Sequence, residues 1–201
     1  VLLVTLNRDI DGLVGKDGRP LGRTAKQYAL RWGVFSMTYA AIEGFFNDAL
    51  TTGAPRSRPL PLSPDKLRAE GDKHQVKIFA HDWGVRTVVP GLFPWSRPRW
   101  RSYVGTQALR DYLGDMKNLR DRINHGGDVR AVSNESFALW PVSGGHSMSI
   151  MGAEGFIQAC TDLATQTVLA YGGRLDQLPR WPEPQRSGLS AKKRPALPMV
   201  P

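Results

Sequence analysis

The sequence predicts a mainly α-helical domain, a bundle of about four to five helices with a small β-hairpin inserted before the last one. Three stretches carry that prediction. Leu109, Tyr112, Leu113, Met116, Leu119 and Ile123 recur at the three-and-four spacing of a helix with one buried stripe. From Gln27 to about Leu50 the chain is apolar on two faces, Leu30, Val34, Met37, Ala41 and Phe45 on one and Phe35, Ile42, Phe46 and Ala49 on the other, as a central helix would be. Phe156, Cys160, Leu163, Thr167 and Ala170 mark one side of a last helix, from about Ala153 to Tyr171, that stops at Gly172-Gly173.

The remaining elements follow in chain order. Residues 1–25 read as a surface lead-in, a short β-favouring run followed by Asp11-Gly12, Gly15-Lys16-Asp17-Gly18 and Arg19-Pro20 turns. Within the first helix Glu43 is the one charge between Trp32 and Phe46. A carboxylate there either pairs inside the fold or reaches water along a Ser36, Tyr39 and Asn47 side. A proline-rich loop ends at Ser63-Pro64-Asp65, a helix start with proline in the first turn, and a second helix is expected to run to about Trp83. Its His74 and His81 lie two turns apart, roughly 10 Å along the axis, too far to share a metal ion without other ligands. Gly84 to Ser102 reads as an irregular loop that carries Arg86, Arg97, Arg99 and Arg101 with no acid, interleaved with Phe93, Trp95 and Trp100. Arginines neutralise phosphates and aromatic faces stack on unpaired bases, so this stretch suits single-stranded RNA; tryptophans that pin a loop to the core are the competing reading. Ser136 to Val142 and His146 to Ile150 flank Ser143-Gly144-Gly145 as a hairpin, with Pro141 restricting its strand to an edge and His146 a turn residue. The organisation expected is a lead-in over 1–25, a helical domain over 26–173 and a proline-rich basic tail over 174–201 that contains the cluster Lys192-Lys193-Arg194.

Composition narrows the function classes. The 27 Lys and Arg against 18 Asp and Glu give a net charge of +9, the balance of a protein that meets polyanions. Cys160 is the one cysteine, which excludes a disulfide within the chain, and its place on the apolar helix side makes it core filler. No apolar run approaches the roughly eighteen residues of a membrane span, and Val1-Leu2-Leu3-Val4 is too short for a signal, so a cytoplasmic location is expected. Neither a phosphate-binding glycine loop nor a Cys/His zinc pattern occurs, so no metal or cofactor is expected.

The residues that carry chemistry sit where the Leu109–Ile123 helix runs out into Gly126-Gly127. Arg120 lies on the edge of the buried stripe, and Asp121 and His125, four apart, share the neighbouring polar side. Histidine as a class titrates near neutrality, so it can take a proton from a ribose 2′-hydroxyl or give one to a departing 5′-oxygen. A guanidinium is permanently charged and its planar fork matches phosphate oxygens. Asp121 can orient the ring, and Arg122 and Asn124 stand beside it as RNA contacts. The same arginine and histidine also suit a plain helix cap, since both hydrogen-bond the last carbonyls and complement the dipole. Five residues along a helix is about 140° of rotation, so Arg120 and His125 point apart unless the last turn distorts or a second copy completes the site.

The pattern Arg120-Asp121-Arg122-Ile123-Asn124-His125-Gly126, arginine and histidine with four residues between them late in a helix, resembles the motif of the HEPN superfamily of all-helical proteins. Tyr39-Ala40-Ala41-Ile42-Glu43-Gly44-Phe45-Phe46 is similar to the first core helix of bacterial HEPN toxins, and the likeness spans about residues 25 to 172. The resemblance implies a HEPN-like bundle and a metal-independent endoribonuclease, a toxin or effector of a bacterial defence or toxin–antitoxin system. In that family His125 corresponds to the general acid or base and Arg120 to the group that stabilises the transition state, with Asp121 and Glu43 positioning them, Glu43 by pairing with Arg120. It further implies a homodimer in which two motifs line one cleft. It also implies an antitoxin or a nucleotidyltransferase as a partner, and the alternative it leaves open is a non-catalytic HEPN module that binds RNA, a nucleotidyltransferase or another protein.

Overall fold

The computed structural model describes residues 16–18, 26–51, 59–93, 96–178 and 194–197. Most of the lead-in, Trp95 and the Lys192-Lys193 pair lie outside the described residues. In order the elements are α1 (Lys26–Leu50), α2 (Pro64–Lys73), β1 (Gly84–Val89), β2 (Arg99–Val104), α3 (Thr106–His125), β3 (Trp140–Val142), β4 (Gly145–Ser147), α4 (Ile150–Ala170) and a 3-10 turn, Leu175–Gln177. The chain is mostly helical, as expected, with two separate antiparallel hairpins in place of one.

α1 is less central than its composition suggests. Phe35, Tyr39, Ile42, Phe46 and Leu50 are buried against α3 and α4, whereas Met37 is 65 % exposed and Ala41 is also exposed. The second helix ends at Lys73, well short of Trp83. Gln75 adopts a left-handed conformation (φ 59°), its N–H donates to the Asp72 carbonyl, and the Val76 N–H donates back to Gly71. That is a Schellman stop made by glutamine where glycine is usual, so the sequence hid it. His74 closes this helix and His81 lies beyond it, so the two never share one.

The stretch read as an irregular basic loop is a β-hairpin, with Gly84 opposite Val104 and Val89 opposite Arg99. Val85, Thr87, Val88 and Val89 are all buried, so β1 shows no alternation to read. Its outer edge is closed by α4. Glu154, Gln158, Asp162 and Gln166, each four residues from the next, are buried polar residues on one helix face. The Gly84 N–H donates to Gln166 Oε1 (3.2 Å), Gln166 Nε2 donates to the Gly84 carbonyl (2.7 Å), and the Arg86 N–H donates to Asp162 Oδ2 (2.8 Å). Side chains thus satisfy the edge that a third strand would otherwise cover. Arg86 completes a forked pair with Asp162 (2.6 and 3.0 Å), so it is a structural residue and not one of an RNA-facing set. Arg194 is likewise engaged, donating to Gln158, while Arg86 reaches the Pro195 carbonyl (3.1 Å).

α4 starts at Ile150 because the Ser149 hydroxyl caps it, accepting from the Gly152 N–H (3.0 Å). The second hairpin is shorter than expected: Trp140–Val142 pairs with Gly145–Ser147, and residues 136–139 form a turn. Asp115, buried within α3, holds that turn by accepting from the Ser136 N–H (2.8 Å), the Ser136 hydroxyl (2.6 Å) and the Ser133 hydroxyl (3.1 Å). The core is one apolar cluster that joins all four helices and β1.

Candidate active site

α3 terminates as its sequence indicates. Gly126 takes the left-handed conformation (φ 71°) and the Gly127 N–H returns to the Arg122 carbonyl (3.1 Å). Three turns of this helix and one face of α1 then define the site.

Arg120 is held from three sides. Its Nη2 donates to Glu43 Oε1 (2.8 Å), its Nη1 lies 2.8 Å from Asp121 Oδ1, and its guanidinium carbon sits 4.7 Å above the centre of the Tyr39 ring. Glu43 therefore pairs inside the fold and does not run out to solvent. Burial alone would lower the Arg120 pKa, but the Glu43 carboxylate, Tyr39 and Asp121 outweigh it and the net shift is upward, so the charge is secure. Burial, followed by the Glu43 charge, pushes the Tyr39 phenol well above its ordinary range. The Tyr39 hydroxyl and Arg120 Nε are buried and meet no hydrogen bond of good geometry among the described residues, although the Arg120 guanidinium is near enough to offset part of the rise in the Tyr39 pKa.

His125 is exposed and makes no hydrogen bond or ion pair among the described residues. It lines a cleft of about 570 Å³ with Asn118, Asp121, Arg122, Gly127, Ala131, Val132 and Ser133. Asn118 Nδ2 donates to the Ser133 hydroxyl (3.1 Å), which fastens the far wall to α3. Asp121 is the link between the two parts. It borders the cleft, yet its oxygens are taken by Arg120 and by Lys117 Nζ (2.6 Å), and it makes no hydrogen bond to His125.

The structure thus brings Arg120, Glu43 and Asp121 together, and places His125 and Arg122 on the adjoining cleft. Arg120 is not among the cleft-lining residues, as the 140° separation implies. Asn124 is exposed at the same helix end but does not line the cleft. Arg97 is exposed in the β1–β2 connection, Arg99 is exposed on β2, and Trp100 is half-buried. Arg101 stacks on Tyr103 (4.7 Å) and donates to the Ser136 carbonyl (3.2 Å). Sequence reasoning passed over Tyr39 as the platform under Arg120 and Lys117 as the tether of Asp121. Both signals were present at four-residue spacing, Tyr39 before Glu43 and Lys117 before Asp121. Among the described residues no three His, Cys, Asp or Glu side chains converge as a metal site requires, and no helix is long and apolar enough to cross a membrane.

No family model matches the chain, and neither a curated protein nor a solved structure matches it.

Proposed function

We propose that this chain is a metal-independent endoribonuclease of HEPN type, acting as the toxin or effector of a bacterial defence or toxin–antitoxin system. The observation that carries the reading is the anchoring of Arg120 by Glu43, Asp121 and Tyr39 one turn from an exposed, unengaged His125 that faces a cleft. A fixed guanidinium supplies preorganised charge, and a free imidazole can move a proton. In the reaction a base takes the proton of a ribose 2′-hydroxyl, O2′ attacks the adjacent phosphorus, and the P–O5′ bond breaks. His125 serves as the base or as the acid that protonates O5′; Arg120 stabilises the charge that gathers on the phosphoryl oxygens. The products are a 2′,3′-cyclic phosphate and a 5′-hydroxyl, and no metal or cofactor takes part.

Because Arg120 and His125 face different ways in one chain, the reading includes a homodimer in which two copies of this helix end share one cleft. Sedimentation should give a dimer at assay concentration; a fully active monomer contradicts the shared site. His125→Ala and Arg120→Ala should each abolish cleavage and any growth toxicity without unfolding the protein, and wild-type cleavage should persist in excess chelator. A folded His125→Ala protein that cleaves at the wild-type rate overturns the assignment. One observation favours the second reading, a non-catalytic module that binds RNA or a protein partner: the Arg120 fork is already occupied by two carboxylates. RNA or partner binding with no cleavage by the wild-type protein selects it.

A further inference from the structure

A second cavity, of about 610 Å³, is bordered by Leu92, Arg99, Arg101, Asn134, Phe137 and His146 among others. Its lining meets that of the His125 cleft at consecutive residues: Ser133 borders the cleft and Asn134 the second cavity. Every charged or titratable group on this second lining is basic, with no carboxylate among them. Arg99 is exposed and makes no ion pair among the described residues.

Phe137 is the unusual member. It is 68 % exposed and holds a left-handed backbone (φ 59°), a conformation that a bulky side chain rarely adopts. Its neighbours compel it. Asn134 clamps the turn by accepting from the Leu139 N–H (2.9 Å) and donating to the Leu139 carbonyl (3.1 Å). Buried Asp115 grips Ser136 from one side, and the Tyr103 hydroxyl donates to the Ser136 carbonyl (2.7 Å) from the other. The fold therefore spends strain to present an aromatic ring to water, beside an arginine and Leu92, which is 75 % exposed. Neither the strain nor the exposure serves the core.

We propose that this cavity is a subsite for one nucleotide of a single-stranded RNA, the base stacked on Phe137 and the phosphate held by Arg99 and Arg101. A ring that stacks and guanidinium groups that neutralise are the two elements single-stranded nucleic acid requires, and the volume falls in the roughly 300–1,000 Å³ range of small-ligand pockets. An apolar protein partner would leave the two arginines, Arg99 and Arg101, without carboxylates to meet. The inference rests on the reading of the first cleft as an RNA site and extends it: the strand that enters the His125 cleft continues over Phe137, so the base there sets part of the cleavage preference.

The test uses the His125→Ala protein, which keeps RNA intact, and an unstructured, labelled single-stranded RNA about a dozen nucleotides long. Phe137→Gly should weaken binding on the order of tenfold, leave the salt dependence unchanged, and raise Tm by about 2 °C because glycine relieves the left-handed strain. Arg99→Gln should flatten the salt dependence by about 0.7 log units, one phosphate contact. Unchanged affinity and salt slope in both folded variants overturns the subsite while leaving the cleavage reading intact. Loss of self-association in Phe137→Gly, with RNA binding untouched, also overturns it, in favour of a contact between copies. If the two variants weaken RNA binding as stated but the His125-bearing protein does not cleave, the subsite stands and the endonuclease reading falls. If the parent protein binds no RNA, both fall.

Discussion

At the scale of single residues, Tyr39 and Glu43 have opposite relations to Arg120. The Tyr39 hydroxyl is buried without a well-formed hydrogen bond, with the Arg120 guanidinium its one polar neighbour of note, so it keeps most of its desolvation cost, whereas Glu43 neutralises a guanidinium whose side chain is mostly buried. Tyr39→Phe should keep the ring beneath Arg120 and be neutral or stabilising by up to about 1 kcal/mol. Glu43→Gln should cost about 1–2 kcal/mol, since a mostly buried charge loses one of its two carboxylate partners and keeps only Asp121. Denaturant titration of the two variants checks the contrast; a Tyr39→Phe protein destabilised by as much as Glu43→Gln would mean the hydroxyl has a partner. The sequence indicated this site in part. The spacing from Arg120 to His125 and the lone charge at Glu43 both pointed to it, and the helical angle foretold that Arg120 and His125 diverge. A solvent side through Tyr39 stayed open as one of two readings because a tyrosine beside serine and asparagine looks amphipathic until α4 covers it with Phe156.

At the scale of elements, what the sequence concealed was polar burial. Apolar periodicity found α1, α3 and α4, since each has a stripe that a helix period explains. It could not find β1, buried along nearly its whole length, nor the Asp162 and Gln166 side chains that close its edge from a ladder they share with Glu154 and Gln158, since buried polar residues at helical spacing read as a solvent face. The end of α2 was hidden for another reason, a left-handed glutamine in a place where glycine is the signal. The ladder makes a graded prediction. Asp162→Ala strips the Arg86 fork and the Arg86 N–H of their acceptor and should cost about 3–5 kcal/mol, while Gln166→Ala loses two bonds to Gly84 and should cost about 1–3 kcal/mol. Thermal unfolding ranks them; equal, small losses would mean water replaces the ladder at the strand edge.

At the scale of the whole molecule, burial and charge set the response to solution conditions. Tyr103 is pushed up to about 12 by burial, and burial also raises Tyr39 and Tyr112 above their ordinary value of 10.0. The folded state therefore holds protons that the unfolded chain releases near pH 10, so this contribution is complete below pH 10 and declines as pH rises from about 10 toward 12. Tyr103→Phe should flatten that decline in an alkaline melt series, and an unaltered slope would place the titration elsewhere. The net charge of +9 suits a polyanion partner but does not choose among RNA-cleaving, RNA-binding and protein-binding roles. The choice lies in the chemistry at His125. The most direct measurement is the end-group analysis of RNA incubated with the protein in excess chelator, beside a folded His125→Ala control. Fragments that end in 2′,3′-cyclic phosphate and begin with 5′-hydroxyl, made by the wild-type protein and not by His125→Ala, are the predicted result; equal cleavage by both proteins, or cleavage that appears only when magnesium is restored, would contradict it.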